Sequence, residues 1–299
     1  MTTARLVSSW PIPHGLSRRA RVVALAAELR VTQLMCQLAR REALSLGMDE
    51  LDRLQRKYPF RTAYEYDPDS VYRRGHARAA DILALPGADH ANTLLEVACS
   101  DGMVSAMLQR AGKHVVAVDR RGDRFDGRAA EAGVRFLGAD AQELPLRAAS
   151  VDFAFSYNSF EHFAYPGAVL HELARVVRRG GHVFLKFGPL YYSPWGEHAY
   201  RSITVPYCQF LFSHAIMNEY TMRLGRKPID ASHVNRWSLG QYRQLWREVA
   251  NVFEPVRYEE RRDLSALQII RAYPSCFKSR PVSFEDFLVS HITAVFRRT

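Results

Sequence analysis

The chain has 299 residues, 47% of them hydrophobic, 24% charged and 11% aromatic, a globular composition that excludes disorder, collagen-like repeats and coiled coil. A formal charge of +10 and a pI near 9.6 bring in nucleic acid or an anionic surface as partner classes, but no run reaches the roughly five or six like charges of a nucleic-acid tail. No apolar run approaches the roughly 20 residues of a membrane span, Pro11, Pro13 and Gly15 interrupt the start, and Cys36, Cys99, Cys208 and Cys276 stand too far apart for a disulfide framework, so a cytoplasmic protein with reduced thiols is expected.

In chain order, residues 17–57 read as helical from the spacing of Val22, Leu25, Ala26, Leu29, Leu34, Leu38 and Ala39, with Gly47 before a second short helix at 49–57. A third helix is predicted over about 70–85, closed by Pro86-Gly87. From Asn92 the texture changes to short apolar runs alternating with helices, the pattern of βα units on a parallel sheet. Strands are predicted at 93–98, 114–119, 134–138, 151–157 and 182–187, with helices at 104–110, 126–132 and 166–178. Gly180-Gly181 is read as the turn into the fifth strand. An aromatic-rich segment then runs from 189 to 237, too long for an ordinary connection. Ser238 is placed as the N-cap of a helix reaching about 250, and strands at 253–260 and 287–297 close the chain around a second insertion at 261–284. The last strand is expected to be antiparallel.

This gives an α/β fold, a doubly wound and mostly parallel seven-stranded sheet. The division that follows is an N-terminal helical region (1–90), an alternating core (91–188), a functional insertion (189–237) and a C-terminal part of the core (238–299).

Chemistry concentrates where the first strand turns, at Glu96-Val97-Ala98-Cys99-Ser100-Asp101-Gly102. Small residues there let the backbone approach a ligand closely. Asp119, ending the second strand, can accept hydrogen bonds from both hydroxyls of a ribose. The nicotinamide fingerprint GxGxxG is absent, which turns the reading toward another adenosine-containing cofactor. Two further segments sharpen it: Gly138-Ala139-Asp140-Ala141-Gln142-Glu143-Leu144-Pro145, and Ser150 to Phe163 with its Tyr157-Asn158-Ser159-Phe160-Glu161-His162 core. Leu173 to Gly181 follows in the same order.

In order and spacing these segments resemble the class I S-adenosylmethionine-dependent methyltransferases, especially the small-molecule, ubiquinone-type branch. The resemblance covers about 92–188 and implies roles residue by residue. Glu96, Ala98, Ser100 and Gly102 would hold the methionine moiety, Asp119 the ribose, and Asp140 with Ala141 the adenine, with Cys99 and Arg120 also among the cofactor-binding residues. Tyr157 and Asn158 would lie beneath the sulfonium. The family turn is Gly-x-Gly-x-Gly, and here its first two glycines are Ala98 and Ser100.

His162 is the candidate general base, because an imidazole titrates near neutrality, and Tyr157 is the second catalytic candidate; Glu161-His162 reads equally as a structural pair. Tyr191, Tyr192, Trp195 and His198 are the candidate acceptor-lining residues, since a small-molecule site wants apolar walls with few polar groups; packing of the rings within a cap is the other reading. His198 and His233 are the remaining histidines of interest, and no spacing marks a metal site. Tyr72, Arg73 and Arg74 read as a cofactor-carboxylate clamp or, more simply, as a solvated helix face.

The acceptor is expected to be a small molecule, methylated on oxygen, nitrogen or carbon. Two other functions compete, a nucleic-acid methyltransferase and a non-catalytic binding protein that keeps the fold. Against the first, the loop after the fourth strand is Ser-Tyr-Asn-Ser-Phe and no RNA-binding motif is appended. The basic excess also lies away from the core, with 12 basic and 11 acidic residues in 91–188 but 14 and 10 before it and 15 and 10 after. It hints at an anionic acceptor or partner. A homo-oligomer is compatible with the sequence.

Overall fold

The computed structural model describes residues 18–40, 45–60, 67–278 and 280–299. Three helices come first: α1 (Arg18–Leu38), α2 (Met48–Lys57) and α3 (Pro68–Leu83). The alternating region follows as β1 (Thr93–Val97), α4 (Met103–Arg110), β2 (His114–Asp119), α5 (Gly127–Glu131), β3 (Arg135–Gly138), β4 (Val151–Tyr157), α6 (Pro166–Val176) and β5 (Val177–Phe187). Then come α7 (Cys208–Leu211), α8 (His214–Arg223), α9 (Leu239–Glu248), β6 (Phe253–Arg262), α10 (Leu267–Ala272), α11 (Pro274–Lys278) and β7 (Val289–Arg298). None of the described helices is long and apolar enough to cross a membrane.

The strands form one seven-stranded sheet in the order β3-β2-β1-β4-β5-β7-β6. The first five pair in parallel and β7 runs antiparallel to β5, as the sequence predicts. The parallel strands carry almost unbroken apolar runs, Leu94-Leu95 in β1 and Phe153-Ala154-Phe155 in β4, all buried, because helices cover both faces of such a sheet. Asp152 ties the strand entries together: its Oδ2 accepts the N–H of Asn92 and Thr93 at 2.9 and 2.8 Å, and Arg178 Nε donates to Oδ1 at 2.5 Å.

Gly180-Gly181 is no turn before β5 but lies inside it, since the strand starts at Val177 directly after α6. Val151 pairs with Val177 and Phe153 with His182, so four residues of β5, 178–181, face the single Asp152 of β4 in a bulge. Gly180 has φ +77°, and a Cβ on Gly181 would stand 2.7 Å from the Asp152 carbonyl oxygen. Glycine lets the extra residues loop out without ending the strand.

By internal contacts the chain divides into two units. The sheet unit comprises residues 67–188, 240–260 and 291–299. Its α3 starts on Asp67, whose carboxylate accepts from the N–H of Asp69 and Ser70, with Pro68 in the first turn where its missing N–H costs nothing. Val71, Ala79 and Ile82 of α3 pack with Met103, Val104 and Met107 of α4, and Gly75 leaves room for the Met103 side chain. The sheet's other face carries Phe160, Phe187, Tyr242 and Trp246, with ring centroids 5.1–6.4 Å apart.

The helical unit comprises the described residues within 18–60, 189–239 and 261–290. Its core gathers Tyr207, Phe210, Phe277 and Phe287 edge to face. The Tyr207 hydroxyl donates to the Phe287 carbonyl at 2.7 Å, which satisfies a fully buried phenol. The start of α9 is held by Asp286, whose Oδ1 accepts the Leu239 N–H at 2.6 Å.

Candidate functional site

The carboxyl ends of β1 to β5 lie along one edge of the sheet unit, and in such sheets that edge is where ligands bind. At the end of β1 the Cys99 N–H still reaches Val118 O at 3.1 Å, and then the chain turns tightly, with Gly102 N–H donating to Cys99 O at 2.9 Å. Ala98, Ser100 and Gly102 all adopt left-handed backbone, at φ 57°, 51° and 69°. The alanine and the serine therefore reproduce the conformation that glycine would take at the first two positions. Only the third position demands glycine for space as well, because a Cβ on Gly102 would enter the Phe125 ring.

Asp119 locks this turn to β2. Its Oδ2 accepts the Ser100 N–H at 2.9 Å and its Oδ1 the Arg121 N–H at 3.0 Å. A carboxylate has about four lone-pair sites, so one on each oxygen is left over after these two bonds. That is the acceptor pair a vicinal diol requires. Beyond β3, Ala139 N–H donates to Asp119 O at 3.1 Å, and Asp140 Oδ1 accepts from the Gln142 backbone at 2.9 Å and its side-chain amide at 3.2 Å. Ala141 is buried beside them and Arg120 is exposed. The donor set thus suits an adenosine: a half-buried carboxylate with spare acceptors, and a small buried residue beside a second acidic group.

Glu96 is differently placed from a simple cofactor contact. It is buried, and its Oε2 accepts from both the N–H and the hydroxyl of Ser105 at 3.1 and 2.5 Å. Burial pushes its carboxyl up to about 8, against the pull of the Ser105 bonds. Among its duties is joining β1 to α4.

Tyr157 and Asn158 end β4. The Tyr157 ring is buried, its hydroxyl donates to Arg78 O at 3.3 Å, and the Arg78 guanidinium lies 4.8 Å from the ring centroid. Burial drives its phenol pKa well up. Asn158 takes φ 48° and donates its N–H to Lys186 O at 2.8 Å, turning the chain into a single 3₁₀ turn, Phe160–His162. That turn buries Phe160 and Glu161 and leaves His162 half-exposed. Glu161 Oε1 accepts the Gly188 N–H at 3.1 Å, with His162 Nε2 3.8 Å away. Its Oε2 is buried without a hydrogen-bond partner, and burial raises the carboxyl to about 7.

The four candidate acceptor-lining residues belong to the helical unit. Tyr191 and Tyr192 meet edge to face at 5.2 Å, and both pack on Phe210. Arg236 covers the Tyr191 ring at 5.1 Å. His198, at φ 56°, is hydrogen-bonded through Nε2 to Pro189 O at 2.8 Å and lies 5.8 Å, ring to ring, from His233. A small cavity is lined by Trp195, Glu197, His198, Tyr200, Ile203 and Cys208 among others.

The structure thus gathers Glu96, Ala98, Cys99, Ser100, Gly102, Asp119, Asp140, Ala141 and Asn158 at one sheet edge, and groups the tyrosines, Trp195 and His198 within the helical unit. Two buried carboxylates outside the sequence-derived candidates, Glu161 and Glu197, stand out in the structure. Glu197 is buried at that cavity, is raised to about 7 by burial, and has His214 Nε2 3.6 Å away. In the sequence Glu161 stands out only as the neighbour of His162. A lone glutamate in an aromatic run carries no sequence signal of burial.

The sheet order, the antiparallel pairing of β7 with β5 and the acid-locked turn together define the Rossmann-like fold of class I methyltransferases. Residues 95–185 match the model of the methyltransferase domain family. An uncharacterised methyltransferase of Mycobacterium sp. (strain JLS) is 32% identical over 138 residues, 46% of this chain and 52% of the relative. The 27-O-demethylrifamycin SV methyltransferase of Amycolatopsis mediterranei (strain S699) is 28% identical over 202 residues, 64% and 72% of the two chains. The ubiquinone biosynthesis O-methyltransferase of Bordetella avium (strain 197N) is 27% identical over 156 residues, 49% and 63%. The chain spans about half the length of several curated relatives that it matches, among them the Mycobacterium protein. Over residues 95–185 the chain thus carries a methyltransferase domain.

Proposed function

We propose that the protein binds S-adenosylmethionine at the carboxyl edge of β1 to β4 and transfers its methyl group to a small-molecule acceptor. The observation that carries this reading is Asp119, which fixes the Ser100 amide with one oxygen, the Arg121 amide with the other, and keeps acceptor capacity on both. In this account Asp119 takes the ribose hydroxyls, Asp140 and Ala141 flank the adenine, and the Ala98–Gly102 turn passes under the methionine moiety. Glu96 supports the turn from below through Ser105.

The bound cofactor supplies an already activated methyl sulfonium. What remains for the chain is alignment of the acceptor and exclusion of water. Tyr157 and Asn158 form the floor at the strand end. His162 takes the proton if the acceptor atom is a phenol or alcohol, while a carboxylate acceptor needs no base. Tyr191, Tyr192, Trp195 and His198 are proposed to contact the acceptor. An oxygen acceptor is favoured because the names of two of the relatives refer to O-methyl chemistry, and the near-neutral core argues against a polynucleotide.

The test is calorimetric titration of S-adenosylhomocysteine. Asp119→Ala should bind about 1.5–3 kcal/mol more weakly than the wild type, the scale of hydrogen bonds to a charged group. Equal affinity of the two proteins would remove Asp119 from the site.

A further inference from the structure

The feature that methyl transfer leaves unexplained is α1. Its inner side carries Leu25, Leu29, Thr32 and Cys36, spaced by three or four residues, and packs toward α10 and α11. Glu28, on the same side, pairs with Arg271 at 3.0 Å. Lys278 Nζ donates to the Gln37 and Ala39 carbonyls at 2.5 Å each, where a cation also suits the negative helix end. The helix is therefore fixed in rotation, and its opposite face is decided.

That face is apolar. At 100° per residue, Val23, Ala27, Leu34 and Leu38 fall directly opposite the buried side, with Val31 at their flank. All five are exposed, Val23 at 68%, Leu34 at 48% and Leu38 at 83%. Six of the twelve large exposed hydrophobic side chains among the described residues lie on this one helix. Such a concentration marks an interaction surface rather than chance exposure.

Charge selects the partner. Residues 18–40 contain arginines at 18, 19, 21, 30 and 40 and a single acid, Glu28, which is committed to Arg271 on the inner side. Arg19 and Arg30 are exposed beside the apolar stripe. A second copy of the helix would set arginine against arginine. An anionic lipid surface instead accepts both components, apolar side chains entering the acyl boundary and guanidinium groups reaching the phosphates.

We propose that α1 is a membrane-surface docking helix whose outer face settles on a bilayer rich in anionic headgroups. The helix lies in the interface and does not span it. The role is separate from the methyl-transfer site and stands whether or not that reading holds.

The experiment is co-sedimentation of the full chain with vesicles of phosphatidylglycerol and phosphatidylcholine in equal parts, and with phosphatidylcholine alone. Partitioning onto the anionic vesicles should exceed that onto the neutral ones by about tenfold or more, and should fall with added salt. The Val23→Gln/Leu34→Gln/Leu38→Gln variant should lose about tenfold or more of that binding, with an unchanged Tm and circular dichroism because all three side chains are exposed. Arg19→Glu/Arg30→Glu should lose it as well. Binding that is equal on the two vesicle types, or unaltered in the triple variant, would overturn the proposal. So would a dimer in light scattering that the triple variant dissociates while neither protein binds vesicles; α1 would then be a self-association face.

Discussion

Alanine and serine disfavour left-handed backbone because their Cβ crowds the following carbonyl, yet Ala98 and Ser100 hold it at φ 57° and 51°. The Asp119 bond to the Ser100 N–H and the neighbouring glycine-dependent turn at 102 over-determine the conformation. Strain retained at a binding turn is a common arrangement. Ala98→Gly and Ser100→Gly should each therefore stabilise the fold by about 0.5–1 kcal/mol, read as a higher denaturant midpoint with the same slope. A lower midpoint would mean that the methyl and hydroxymethyl groups make packing contacts that outweigh the strain. The sequence shows both departures from the glycine pattern, but only the backbone angles show that the turn keeps its shape despite them.

At the scale of elements, the bulge in β5 depends on Gly181 having no side chain. A Cβ there would meet the Asp152 carbonyl at 2.7 Å, Val177 Cγ1 at 2.8 Å and the Arg178 carbonyl at 2.9 Å. Two of the three are backbone and cannot move aside. Gly181→Ala should cost about 1–3 kcal/mol, the usual range for overpacking, seen as a lower Tm with a near-native circular dichroism spectrum. An unchanged Tm would place the bulge elsewhere. The alternation of apolar runs with helices made β1 to β4 legible within a residue or two, most clearly in β1 and β4, whose runs are buried almost throughout. The start of β5 was not legible, since Arg178-Arg179-Gly180-Gly181 looks like a loop and only pairing with β4 makes it strand. The insertions were legible by length alone; α7, α10 and α11 are four to six residues long, too short to show a period.

On the scale of the whole molecule, three buried glutamates set the dependence of stability on pH. Burial raises Glu96 to about 8, and Glu161 and Glu197 to about 7, from an ordinary 4.5. Between 4.5 and those values the folded chain binds more protons than the unfolded one, so stability falls as pH rises. Each such group contributes a slope of up to about 1.4 kcal/mol per pH unit within its window. Other carboxylates act in the opposite sense at lower pH: hydrogen bonds from Arg175 and Arg128 hold Glu172 and Asp126 below their ordinary range, and that stabilisation fades as acid protonates them. Burial also holds His182 and His214 below their ordinary 6.5, which adds stability as pH rises toward 6.5, so the decline should be clearest from about pH 6.5 upward, and Glu161→Gln should flatten part of it. A profile that is level from pH 5 to 8 would show these carboxyls to be ionised in the fold. None of the three burials could be read from sequence, where Glu96 carried a cofactor role by resemblance and Glu197 carried none.

The central claim is that one sheet edge, built from the Ala98–Gly102 turn, Asp119 and the segment after β3, holds the cofactor. Amide hydrogen exchange with and without saturating S-adenosylhomocysteine tests it most directly. Slowed exchange is predicted in three stretches, 98–103, 119–122 and 139–142, with the helical core around Phe277 unchanged. Exchange that is unaltered at those stretches, or slowed only elsewhere, would contradict the account.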